Sequence, residues 1–515
     1  MSLDKIKHVV VVMLENRSFD NLLGWLYADQ DNQAPRVLPT DSSPRYDGLT
    51  PDTYSNSLPA SPDQVFVTCP TTAWPPAVPN AMTVPTPDPN EKFEHVTQQL
   101  FGTAHPSAGA VPNMSGFYAD YDLTEARAAG TSAQIMQTYS PEQVGVLSQL
   151  ARSFAVSDAW FASVPTQTWP NRGFVHCGSS DGYINNDDYI PYNIPTVFNV
   201  LEENGVSWGI YADTDLVPSL THGQFFQLWG YVDRAHSLED FEHCCRAGAD
   251  APAGKKLPTY SFVEPRFVPE LGWFEIEYPC DYHPPHDVRR GEKFVAQVYN
   301  AVRNSPYRDD ILLVITFDEH GGCYDHCPPP GGALPPKPGA VSRNGGFHFD
   351  RFGVRVPAIL VSSYVQPGTV FRAPSASRPG ETPPPFDHTS ILATLRDWLD
   401  LGAEDFFADN PRISAAPTLA PILDAPAARA DWPAISGGGA LPGDDAASGT
   451  PLHDMQKGLL ALGLRMKAND ARHPTAQAEA WVLNTYEEAL RFLHLKVTGP
   501  GPGPAAPAGG PPAAI

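Results

Sequence analysis

The sequence predicts an α/β protein: a doubly wound, mostly parallel sheet with helices on both faces, followed by a small helical C-terminal appendage. Two observations carry this expectation. Short apolar runs, most of them rich in β-branched residues, occur at residues 9–14, 154–156, 207–211, 260–263, 311–317 and 356–361, the pattern of strands buried on both faces. Helical patterns lie between them at 140–154, 291–303 and 389–399, and strands that alternate with helices build sheets of this kind.

The first run, His8 to Leu14, is too short for the core of a signal peptide and meets Glu15-Asn16-Arg17 at once, so it reads as a strand. In the 140–154 pattern Pro141 stands in the first turn, and Val144, Val146, Leu147 and Leu150 form the apolar face. Pro-rich stretches at about 31–90, 327–345 and 373–386 are too long to be connectors and are expected to wall a site. The chain is expected to divide into a catalytic domain over residues 1–435, a segment over 436–497 and a Pro/Gly/Ala-rich tail over 498–515. Within the middle segment a linker runs to about residue 450, and helical patterns follow at 452–467 and 475–496. Those helices are read either as a lid over the site's mouth or as a plain stabilising pair.

A formal net charge of −24 argues against nucleic acid as a partner, because phosphate backbones are bound by Lys and Arg. No apolar run is long enough to span a bilayer, so the expectation is a soluble chain, cytoplasmic or exported by a non-standard route. Seven cysteines make an odd set, and Cys323-x-x-x-Cys327 lacks the partner pair a zinc site would need. Nothing in the sequence indicates an oligomeric state.

The chemistry concentrates where strands end, since ligands in open α/β sheets bind outside the carboxyl ends of the strands. Glu15-Asn16 follows the first run and Asp318-Glu319 follows the 311–317 run. Four oxygen donors suit a hard divalent cation such as Ca²⁺, Mg²⁺ or Mn²⁺; either pair alone reads as a solvated loop. In Pro165-Thr166-Gln167-Thr168-Trp169-Pro170-Asn171-Arg172, a hydroxyl is a candidate nucleophile and Arg172 a fork for phosphoryl oxygens, against a plain turn with Thr168 as a helix cap. Histidines in Pro- or Gly-bounded settings or beside acidic pairs, among them His95, His283, His286, His320, His326 and His388, are candidate acids and donors.

Four blocks occur in a fixed order: Glu15-Asn16-Arg17-Ser18-Phe19-Asp20, Thr168-x-Pro170-Asn171-Arg172, Phe317-Asp318-Glu319-His320-Gly321-Gly322-x-Tyr324-Asp325-His326, and Asp387-His388-Thr389-Ser390. Together they resemble the bacterial phosphoesterase family, which contains non-haemolytic-type phospholipases C and respiratory-burst-inhibiting acid phosphatases and has an alkaline phosphatase-like fold. The resemblance extends over about residues 5–425. It implies that Glu15, Asn16, Asp318 and Glu319, with Thr168, hold one divalent metal (Ca, Mg, Mn or Zn, the hard oxygen donors favouring Ca or Mg). It implies that Thr168 attacks phosphorus, Thr166 being the alternative in a shifted alignment. It implies phosphate-binding and proton-transferring roles for His95 and His283, with His388 close by. Asn171, Arg172 and His320 are the expected substrate contacts. The acidic chain also has room for an extra structural Ca²⁺.

The expected substrates are small phosphate esters or phospholipid headgroups. The expected activity is that of a phospholipase C-like phosphodiesterase or broad phosphatase, with an acid phosphomonoesterase as the alternative. A sulfatase or phosphonate hydrolase is disfavoured because threonine stands where a modifiable Cys or Ser would be needed. A phosphocholine headgroup would call for an aromatic cage, and Trp169, Tyr118, Tyr121, Trp160 and Phe161 are the candidates beside the motifs.

Overall fold

The computed structural model describes residues 2–493 apart from 60, 62, 71–79, 187–189, 215–218, 249, 253, 272–275, 375–382, 438–450 and 469–475. Among the described residues nine strands form one sheet. In chain order they are β1 (His8–Leu14), β2 (Arg36–Leu38), β3 (Ala155–Ser157), β4 (Trp208–Ala212), β5 (Ala235–Ser237), β6 (Tyr260–Glu264), β7 (Ile311–Phe317), β8 (Ala358–Val361) and β9 (Thr369–Phe371). Their spatial order is β2-β9-β3-β8-β7-β1-β6-β4-β5. Only β8 runs antiparallel to its neighbours, so the sheet is mostly parallel.

Successive side chains of a strand point to opposite faces. In β1 all of Val9 to Leu14 are buried, and in β7 all seven residues are, so both faces are covered. The helices that cover them include α1 (Gly145–Ser153) packed on α3 (Val288–Arg303), and α2 (Thr168–Cys177) packed on α4 (Thr389–Trp398). The sheet core is one continuous apolar cluster.

The six expected strands are present within two residues at each end. The three not anticipated, β2, β5 and β9, have three residues each, too few to make a pattern. The 140–154 pattern begins as a turn and becomes helix only at Gly145.

The C-terminal segment is helical, as expected, and packs into the core of the sheet. Its first helix, α5 (Asp454–Ala468), buries Met455, Leu459, Leu460 and Leu462 in the same cluster as the sheet. The pattern read as one helix over 475–496 is two, Ala476–Trp481 and α6 (Tyr486–Phe492). The break has a local cause: Thr485 caps the second helix in a reciprocal capping box with Glu488. Most of the expected linker and the whole tail lie outside the described residues. Among the described residues no helix is long and apolar enough to cross a membrane. All seven cysteines are free thiols.

Candidate active site

The register of the central strands builds the site. β1 and β7 run in parallel with His8 opposite Ile311 and Leu14 opposite Phe317, so Glu15 and Asp318 leave the sheet side by side. Asp318 Oδ1 accepts the backbone N–H of Asn16 at 3.3 Å and of Glu319 at 2.7 Å, which fixes both strand tips inward. Asn16 adopts φ 59°, a left-handed conformation that asparagine tolerates. Gly321 (φ +60°) lies so close that an added Cβ would stand 2.2 Å from the Asn16 carbonyl oxygen. Gly321→Ala is therefore expected to cost about 1–3 kcal/mol of backbone strain and to displace Asn16. The check is a lowered melting temperature together with a fall in kcat/KM; unchanged values of both would show that the tips need no glycine.

Thr168 is the first residue of α2, after Gln167 as N-cap, and its Oγ1 donates to Asn16 Oδ1 at 3.4 Å. Thr166 is directed elsewhere, its hydroxyl donating to the Ile184 carbonyl and to Asn185 Oδ1. That favours Thr168 over the shifted alignment. Asn171 takes a different place from the expected substrate contact. Its amide oxygen accepts from Val164 N–H, and its NH₂ group donates to the carbonyls of Val164, Thr166 and Gln167, so the side chain ties down the loop that presents Thr168.

Arg172 also departs from expectation. Its Nε lies 3.3 Å from Asp318 Oδ2, Nη1 2.8 Å from Glu264 Oε1 and Nη2 3.4 Å from Glu15 Oε1, all with no exposed surface. The fork is spent on the protein's own carboxylates, because leaving three acids unpaired in the interior would cost far more than one cation's desolvation.

Glu15, Asp318, Glu319 and Glu91 are buried together, and desolvation raises the pKa of each; Glu319 is pushed up to about 8. Glu91 comes from the Pro-rich stretch and accepts Asn16 Nδ2 at 2.5 Å. Glu15 Oε2 and Glu319 Oε1 are buried with no hydrogen-bond partner among the described residues. Excess buried negative charge with orphaned carboxylate oxygens and no thiolate among the donors is a set that fits a hard divalent cation.

The histidines divide into two groups. His388 has both nitrogens in use: Nε2 pairs with the Asp318 carbonyl at 2.6 Å and Nδ1 accepts from Trp160 Nε1 at 3.3 Å. It holds the backbone of Asp318, and burial lowers its pKa to about 4, which suits a positioning group and not the proton carrier expected. His320 pairs through Nε2 with Gln99 Oε1 at 2.7 Å, and its Nδ1 lies 3.3 Å from Glu319 Oε2, so it orients a carboxylate instead of meeting substrate. His95 is half-buried, with Nδ1 2.8 Å from Asp120 Oδ1; that hydrogen bond raises its pKa. His283 has no exposed surface; its Nδ1 donates to the Pro284 carbonyl at 2.7 Å and burial pushes its pKa well down.

A cavity of about 460 Å³ adjoins this centre, although Thr168 and the strand-tip carboxylates are not themselves in its walls. Asp88, Glu91, His95, Gln167, Pro285 and His453 are among its walls, and Glu91 and Gln167 connect it to Asn16 and Thr168. The expected choline cage is absent from its walls among the described residues. Trp160 stacks on Phe386 at 5.7 Å, and Trp169, Tyr121 and Phe161 are buried by packing.

Among the described residues, the one group of three acidic or histidine side chains whose ligand atoms lie within 4.8 Å of one another is Asp20, Asp325 and His326, away from the strand-tip carboxylates. Arg355 already occupies it, with Nη2 3.0 Å from Asp20 and Nε 3.0 Å from Asp325. Burial lowers His326, but Asp20 and Asp47 outweigh it and raise the pKa to about 10, so the three groups and Arg355 form an internal ion-pair cluster.

Glu91, Glu264 and His453 were not anticipated. Glu264 carried the signal used for the other acids, a carboxylate closing an apolar run. Glu91 lies where no periodic pattern marks it, and His453 opens the 452–467 helical pattern with no motif to single it out.

A helix-borne hydroxyl set among strand-end carboxylates and imidazoles is the equipment of an enzyme that cleaves phosphoric esters. The chain belongs to the phosphoesterase family, whose model matches residues 6–402. It is 35% identical over 411 residues to non-specific phospholipase C1 of Arabidopsis thaliana, covering 77% of this chain and 67% of that protein. With non-specific phospholipase C4 of the same plant it shares 32% over 510 residues, 94% of this chain and 86% of that one. With phospholipase C B of Mycobacterium tuberculosis it shares 24% over 485 residues, 81% and 82% of the two chains. A solved alkaline phosphatase superfamily protein from Vibrio parahaemolyticus aligns at 11% identity with a TM-score of 0.27, over 49% of this chain and 59% of that one. The protein is a phosphoric-ester hydrolase.

Proposed function

We propose that the protein is a metal-dependent phospholipase C-type phosphodiesterase acting through a phosphothreonine on Thr168. The observation that carries this reading is the Thr168 hydroxyl, the first residue of α2, bonded to Asn16 between the Glu15 and Asp318-Glu319 strand tips. Glu15, Asn16, Asp318, Glu319 and the Thr168 hydroxyl would hold the cation. When bound, it supplies neutralising charge for the hydroxyl's deprotonation and for the phosphoryl oxygens.

Thr168 Oγ1 passes its proton to one of the unpartnered strand-end carboxylate oxygens and attacks phosphorus in line, and the bond to the alcohol oxygen breaks. The amino end of α2 favours the phosphoryl charge. The departing oxygen needs a proton, and His95 is placed to give it: it faces the cavity and Asp120 keeps it protonated to higher pH than an ordinary imidazole. Water then attacks the phosphothreonine, and the threonine oxygen leaves with a proton. The products are an alcohol and a phosphomonoester.

The substrate class is a phospholipid headgroup or a small phosphate ester, in line with the names of the relatives. Trp160, Trp169, Tyr121 and Phe161 lie in the core, and the partly buried Tyr118 is outside the cavity's walls, so headgroup choice does not rest on them. The test is product analysis with phosphatidylcholine before and after chelation. Diacylglycerol and phosphocholine should appear, vanish after EDTA treatment and return with Mg²⁺ or Ca²⁺. Release of inorganic phosphate from monoesters alone would replace the diesterase with a phosphatase, and full activity after metal removal would overturn the metal's part.

A further inference from the structure

His453 stacks on His283 with ring centroids 3.9 Å apart and planes 7° apart. Both ring nitrogens of His453, and Nε2 of His283, are buried with no hydrogen-bond partner among the described residues. An unpaired buried polar atom costs about 1–3 kcal/mol. Several in contact are expected where a ligand completes them. His388 and His320, by contrast, have both nitrogens placed against protein groups.

The stacked geometry selects the ligand. Two imidazoles ligate one metal ion with ring planes that converge on it, and parallel rings do not converge. Parallel rings place their edges side by side, which suits two oxygens of a single oxyanion. The cavity that His453 lines also has Gln167, the neighbour of Thr168, in its wall.

The segment that brings His453 is fastened to the site at both ends. Gln456 Nε2 donates to the Phe267 carbonyl at 2.8 Å. Tyr486 Oη lies 2.7 Å from His286 Nε2, and His286 Nδ1 lies 2.6 Å from Asp281 Oδ1. Asp281 in turn accepts the backbone N–H of His283 on Oδ1 and that of Glu15 on its carbonyl. Residue 453 lies beyond the stretch 6–402 that the family model matches.

We propose that His453 is a substrate-contacting residue supplied by the C-terminal segment, which donates a hydrogen bond to a phosphoryl oxygen of the ester at Thr168. His283, whose Nδ1 proton is held by the Pro284 carbonyl, stacks behind it and donates from Nε2 only as the imidazolium that a bound oxyanion would stabilise. The proposal deepens the phosphodiesterase reading and rests on it. The segment is then a wall of the site, and removing it takes away a substrate contact instead of opening a lid.

The test uses the full chain with His453→Phe, which keeps the stack and loses the nitrogens, and His453→Gln, which restores a donor. Measured are kcat/KM for p-nitrophenyl phosphorylcholine, inhibition by inorganic phosphate, and melting temperature, with Thr168→Ala alongside. Expected for His453→Phe is a fall in kcat/KM of about 10- to 100-fold and phosphate inhibition weakened about tenfold, with melting near wild type and part of both recovered in His453→Gln. Wild-type kcat/KM and phosphate inhibition in His453→Phe would reduce His453 to packing. If the Phe variant does not fold, unchanged phosphate inhibition in His453→Ala overturns the proposal. A fully active Thr168→Ala would instead sink the phosphothreonine reading, and phosphate inhibition would still report on His453.

Discussion

Thr168→Ala is expected to lower kcat/KM for p-nitrophenyl phosphorylcholine by about 10³-fold or more, as loss of a covalent nucleophile does, while the protein melts within a few degrees of wild type. The asymmetry follows from the hydrogen bonding. Thr168 Oγ1 gives one long bond, 3.4 Å to Asn16, so alanine removes only that weak bond and one methyl group. The loop in front of it is held by Asn171, and the helix behind it by core packing, so neither depends on the hydroxyl. Thr168→Ser should keep a measurable rate, because the attacking oxygen remains. Trapping labelled phosphate on the protein at acid pH would locate the intermediate, and wild-type turnover in Thr168→Ala would remove this residue from the chemistry.

Arg172→Leu should show the opposite balance, a loss of folding stability of about 3–5 kcal/mol, with activity falling because the site itself comes apart. The guanidinium is the direct partner of Glu15, Asp318 and Glu264. Without it three carboxylates face one another in the interior. Arg172→Lys keeps one charge but cannot bridge three acids at once, and it should recover only part of the loss. Denaturant unfolding gives the stability directly. A stable Arg172→Leu protein with a raised KM would return the arginine to the role of phosphoryl clamp.

Much of the architecture was legible because strands buried on both faces leave unbroken apolar runs, and β1 and β7 are such runs. The acidic pairs at their ends could be read as partners, since a parallel sheet sets strand ends on one edge. What could not be read was which polar groups the fold would spend on itself. Arg172 and His388 look like reagents in a linear motif, and only the register of β1, β6 and β7 shows the arginine answering three acids and the histidine a backbone carbonyl. Glu91 escaped because a Pro-rich stretch has no period from which a direction can be inferred. The three-residue edge strands escaped because they are shorter than any pattern.

The pairing of Leu14 with Phe317 has a consequence for how the molecule comes to life. One half of the acidic set is made some three hundred residues before the other, the separation being that of positions 15 and 318. Parallel pairing at such distance closes late, because the chain entropy must be surrendered before the contact gives anything back. A slip of one residue would turn each inward tip outward. Catalytic competence is thus an all-or-none certificate of finished topology: a nascent or misregistered chain carries every reactive group and yet has no reaction centre.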